Sequence, residues 1–207
     1  MRLSFPSFDF SKSAYTDALR DLVFADVFAD LDGALDEQGE YARLIARYAV
    51  KKGLGFFGKI RFVKSCVAAL QKELPFPLKS LRFPFHLRHE IYMTDGGELS
   101  VSWGTILKSN FYRLTALLLH EIAHLLISAE QDYSLLLRAD KVFLKENAEN
   151  SVAPTLSPVE AYATRLSVLL MKKTAELLNG QPQEKLLAQA ESEQEKLRIA
   201  YQAFRAD

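Results

Sequence analysis

With one cysteine, Cys66, the chain can form no intramolecular disulfide and no cysteine-based zinc knot. This agrees with a reducing cytoplasm, and it means that any metal site must be built from His, Asp and Glu. A surplus of charge is also missing. Lys plus Arg and Asp plus Glu stand at 26 each, with no run of five or more like charges, so nucleic acid is not an implied partner. No apolar stretch reaches the length of a bilayer span, and LTALLLHEIAHLLI, among the longest, carries three ionisable groups. A membrane is therefore not an expected partner. In the opening MRLSFPSFDFSKS, Pro6, Asp9, Ser11 and Ser13 interrupt any signal-peptide core, and a cytoplasmic protein is the expectation.

What is present is apolar mass: about half of the 207 residues are hydrophobic, enough to bury a core in one domain. No internal repeat appears. The expected class is α+β, mainly helical with a small mixed or antiparallel sheet. The expected organisation is a single domain over 1–207, made of an N-terminal helical part (1–75), a central part (76–180) and a C-terminal amphipathic helix (181–207).

Period decides the elements. Ser13 can cap a helix to about Asp30, with Leu19, Leu22, Val23, Val27 and Leu31 on one stripe. Further helices are expected over 35–51 and 60–74, with GLGFFG as the loop between them and PFP as the stop. Between Pro84 and Trp103 the period changes to two, and FHLRHEIYM and ELSVSW read as a β-hairpin joined by TDGG, with Leu99, Val101 and Trp103 on one face. Helical spacing returns over 110–129 and 132–147. After the polar loop ENAENSVAPTL, a helix opens at Ser157-Pro158 and runs to Leu178. Gly180 and Pro182 end it. The last helix, 183–205, carries Leu186, Ala190, Leu197, Tyr201 and Phe204 on one stripe.

The run LLLHEIAHLL places three polar residues in a helix that is otherwise apolar around nearly its whole circumference. Residues four apart share a helix face, so His120 and His124 present their imidazoles together, with Glu121 about 100° round. Burying these groups without a strong partner costs roughly 2 kcal/mol or more each. A divalent ion such as zinc is a partner of sufficient strength, with Glu121 left free to accept a proton.

HEIAH resembles the HExxH motif of the zincin metallopeptidases, over about residues 84–170. The resemblance implies a zincin-like core with HEIAH on its active-site helix, one Zn2+ on His120 and His124, and Glu121 as general base. It also implies hydrolysis of a peptide or protein substrate, and a cleft-lining strand that binds an extended peptide by β-addition. ELSVSW stands where that strand is expected. An alternative from another class is a catalytically silent or latent scaffold used in binding or regulation.

A catalytic zinc usually takes a third protein ligand. The metzincin pattern would require glycine at Ile127 and the ligand at Glu130, and a β-branched residue strongly resists the turn that glycine permits. The gluzincin pattern brings a glutamate from a later helix, which matches Glu160-Ala161 in SPVEAYA. Ser157-Pro158-Val159-Glu160 is equally a helix capping box, so Glu160 is either the third ligand or a cap. Many gluzincins carry an aspartate four residues after that ligand, and here the position is Thr164. Candidate oxyanion donors are Tyr162, Tyr133, His86 and His89.

Overall fold

Apolar residues recurring at helical spacing account for most of the chain, and most of it is helical. The computed structural model describes residues 12–24, 35–51, 53–94, 97–130 and 133–206. In order these form α1 (Lys12–Phe24), α2 (Glu40–Ala49), α3 (Phe56–Glu73), β1 (Ser80–Arg82), β2 (Ile91–Met93) and β3 (Glu98–Val101). There follow α4 (Trp103–Lys108), α5 (Phe111–Ser128), α6 (Tyr133–Glu146), α7 (Ala153–Leu156), α8 (Pro158–Glu176) and α9 (Gln181–Ala206). The α+β class holds in its broad form. Among the described residues no helix is long and apolar enough to cross a membrane.

The expected stripes are buried where they can be seen. Leu19, Leu22 and Val23 of α1 lie in the core, whereas Val27, Leu31 and the continuation to Asp30 fall outside the described residues. α1 opens at Lys12, one residue before the expected Ser13 cap. Leu186, Ala190, Leu197, Tyr201 and Phe204 of α9 are all buried. A continuous apolar cluster joins α1, α2, α3, α5, α8 and α9, with α8 packed most extensively on α9 and α5. Leu118 and Leu119 at its centre are fully buried, each contributing about 1.5–3 kcal/mol.

Several boundaries depart from the sequence expectation. GLGFFG is only half a loop, because α3 begins at Phe56 with Gly55 as its N-cap. Trp103 does not extend the strand. Ser102 caps a new helix, α4, by accepting the Thr105 N–H at 3.1 Å and donating to the Arg88 carbonyl at 2.7 Å. Ser100 and Ser102 are buried along with Leu99 and Val101, so the expected polar face of this strand is covered.

The sheet order is β1-β3-β2, with β1 parallel and β2 antiparallel to β3. This corrects the place given to ELSVSW: β3 is the central strand, its backbone paired on both sides, and it has no edge to offer an extended peptide. Among the described residues the outer edge of β2 pairs with no strand. Asp95 and Gly96 of the TDGG turn lie outside the described residues. Gly97 closes the turn at φ 77°, where a Cβ would stand 2.6 Å from the Pro77 carbonyl.

Candidate metal centre

α5 starts where Asn110 accepts the Arg113 N–H at 2.9 Å, and it runs without a break through HEIAH. Leu118, Leu119, Ile122 and Leu125 seat it in the core, which leaves His120 and His124 on its less buried face. Their Nε2 atoms stand 3.2 Å apart. Glu160 comes from the first turn of α8: its Oε2 lies 3.5 Å from His120 Nε2 and its Oε1 3.4 Å from His124 Nε2. One ligand atom from each of the three residues lies within 4.8 Å of the others.

The capping box does not form around Glu160. Ser157 makes no side-chain cap bond, and the Val159 N–H donates instead to Asp140 Oδ1 of α6 at 3.0 Å. Asp140 therefore holds the start of α8, and the Glu160 carboxylate is directed at the histidines. The far side of α8 is tied down too, since the Arg165 guanidinium donates to the Leu22 carbonyl at 2.9 Å.

Glu121 is 8 % exposed, and the backbone N–H of Met93 in β2 is among the groups that favour its charged form. β2 bonds to β3 on either side of this position, through Thr94 N–H to Glu98 and Ser102 N–H to Glu90, so the amides of Ile91 and Met93 face outward. The Met93 amide is thus available to Glu121. Burial raises the Glu121 pKa above the ordinary carboxylate range, against the opposing pull of His120 and His124. At Glu160 burial also disfavours the charge, yet the hydrogen bonds to His120 and His124 outweigh it and hold the pKa far down. Burial opposes protonation of His120, but Glu160 leads the negative groups that raise its pKa, with Glu121 and Glu193 of α9 adding to it.

Glu130 does not join the cluster. α5 ends at Ser128, and the Glu130 N–H turns back to the Ile127 carbonyl at 3.2 Å. Of the candidate oxyanion donors, Tyr162 is 2 % exposed in the core beside Tyr15, and Tyr133 packs against the core. His86 pairs with Glu90 at 3.5 Å and His89 with Ser109 at 3.4 Å. Sequence reasoning missed the Met93 amide and Asp140, because a backbone donor leaves no residue-type signal and Asp140 is one of 26 acids in the chain. It also missed a cavity of about 400 Å³ beside His120 between α5, α8 and α9, walled in part by Leu117, Ser167, Met171, Gln189 and Glu193.

In comparisons with known proteins, no family model, no curated protein and no solved structure matches the chain.

Proposed function

We propose that the protein is a zinc-dependent metallopeptidase of gluzincin-like type, in which His120, His124 and Glu160 hold one zinc ion and Glu121 is the general base. The observation that carries this reading is the mutual spacing of the three donor groups. Ligand atoms about 2.0–2.1 Å from a tetrahedral ion stand about 3.3–3.4 Å from one another. Here the two imidazole nitrogens are 3.2 Å apart and each meets a different oxygen of the Glu160 carboxylate, Oε2 at 3.5 Å from His120 and Oε1 at 3.4 Å from His124, so the three groups surround a space of about that size. One divalent cation would satisfy both imidazole nitrogens and the carboxylate at once.

A zinc ion bound there supplies Lewis acidity and a nucleophilic water near neutral pH. Glu121 accepts the proton from the attacking water and returns it to the leaving amine, a role suited to a carboxylate whose pKa burial has raised. The Met93 amide favours its charged form. The outward N–H and C=O of Ile91 and the C=O of Met93 suit an extended peptide laid along β2, so an unstructured peptide segment is the substrate class. The cavity beside His120 has room for a substrate side chain. A cytoplasmic site of action fits the lone, buried and unpaired Cys66.

Elemental analysis of the purified protein tests the reading. One zinc per chain is expected, lost in His120→Ala. Unchanged metal content in that variant removes the site.

A further inference from the structure

The sequence is neutral overall, but its charge is not evenly spread. Residues 41–89 carry eleven Lys and Arg against a single acid, Glu73. This basic stretch includes α3 and the segment leading into β2, and the structure brings both against α4 through aromatic contacts. Phe56 meets Phe57 at 5.3 Å and Trp103 at 4.8 Å between ring centroids, and Trp103 in turn meets Phe85 at 4.4 Å.

The apolar side chains at this junction are not covered. Phe57 is 79 % exposed, Phe85 78 %, Leu87 67 % and Leu107 51 %. They belong to one surface: Phe57 and Phe85 are bridged by Phe56 and Trp103, Leu107 lies one helical turn beyond Trp103, and the Leu87 carbonyl is packed against Gly104. Exposed apolar groups gathered in this way mark an interaction surface.

Cations frame it. Phe57, Arg61 and Lys64 share a stripe of α3 at spacings of four and three, and Lys64 reaches over the Phe83 ring at 5.6 Å. Arg88 follows Leu87, and Lys108 follows Leu107. Among the described residues none of Arg61, Lys64, Arg88 and Lys108 forms an ion pair, whereas Lys196 and Arg198 on α9 are paired with glutamates.

We propose that this face docks on an anionic lipid surface, with Phe57, Phe85, Leu87 and Leu107 entering the headgroup layer and the four cations meeting lipid phosphates and carboxylates. Aromatic and aliphatic side chains ringed by unpaired Lys and Arg are the combination that peripheral membrane binding uses. No bilayer span is needed. A single-stranded nucleic acid would seek flat aromatic faces for its bases. Here the rings meet edge to face, and Leu87 and Leu107 offer nothing to stack on, so the chemistry favours lipid.

Trp103 is the sole tryptophan and lies inside the face, which makes it a native reporter. The full chain is mixed with phosphatidylcholine vesicles holding no anionic lipid or about 30 mol % phosphatidylserine. On the anionic vesicles its emission is expected to shift to the blue and to be quenched by brominated acyl chains, and high salt is expected to reverse both effects. In sedimentation, Phe57→Ser with Phe85→Ser, and separately Arg61→Glu with Lys64→Glu, are each expected to weaken binding by about tenfold or more. The second pair lies wholly on the exposed face of α3, and an unchanged thermal midpoint shows that it folds. No spectral change, equal binding to neutral vesicles, or charge-reversal variants that bind as before would overturn the proposal. So would variants that lose a fluorescent single-stranded oligonucleotide while keeping the vesicles.

Discussion

One carboxylate oxygen of Glu160 lies 3.4 Å from Nε2 of His124, joining residues that stand on different helices, 36 positions apart. The contact depends on where α8 begins, and Asp140 sets that point by accepting the Val159 N–H.

Removing Asp140 should therefore be felt twice. Asp140→Ala is expected to cost about 1 kcal/mol, the usual worth of a helix cap, and to weaken zinc binding because Glu160 loses its anchor. Ser157→Ala should be nearly neutral, since Ser157 makes no side-chain cap bond. Denaturant unfolding and zinc titration of the two variants decide it. If Ser157→Ala proved the more damaging, Ser157 and not Asp140 would hold the helix start.

Glu121 should separate metal binding from turnover. Glu121→Gln is expected to keep one zinc and lose peptide hydrolysis by a factor of about a hundred or more, in line with the loss of a general base. Met93→Pro deletes the amide that favours the charged form of Glu121, at an outward-facing edge position that tolerates proline. It should lower turnover with zinc retained. Full-rate cleavage by Glu121→Gln would end the general-base role.

Gly104 packs so closely that a Cβ there would stand 2.2 Å from the Arg88 carbonyl oxygen and 2.3 Å from that of Leu87. Gly104→Ala must push the 84–88 segment off α4, at a cost of about 1–3 kcal/mol by analogy with overpacking in cores. Phe85 would then lose its contact with Trp103. The measurement is a thermal melt together with the Trp103 emission spectrum, and a wild-type melt and spectrum would count against the close packing.

Burial pushes the Cys66 thiol well above its ordinary range. The folded chain thus keeps a proton that the unfolded chain releases near pH 8.5, roughly the free-cysteine value. Above that pH the unfolded state binds fewer protons than the native state, so stability falls as pH rises, by up to about 1.4 kcal/mol per unit. Denaturant unfolding at pH 8 and pH 10 should show the slope in the wild type and a reduced slope in Cys66→Ala. Iodoacetamide should label Cys66 only as the protein unfolds, and rapid labelling of the folded chain would show the thiol to be accessible.

The features legible in the sequence are those set by neighbours three or four residues away. The pairing of His120 with His124, the polarity break inside the α5 leucines and the buried stripe of α9 all follow from helical period, which is local. The three-residue β1 and the six-residue α4 were not legible. A strand that short has no periodicity of its own, and it exists because a partner distant in sequence supplies its hydrogen bonds. For the same reason the hairpin pattern could not tell which strand would be the edge: β1 inserts against β3 from outside the hairpin, so β3 became central and β2 was left open. At Glu160 the sequence admitted two uses of one carboxylate with equal chemistry, a cap or a partner for the histidines. Tertiary structure separated them, because Asp140 took the helix-capping bond at Val159 and left the Glu160 carboxylate turned toward His120 and His124.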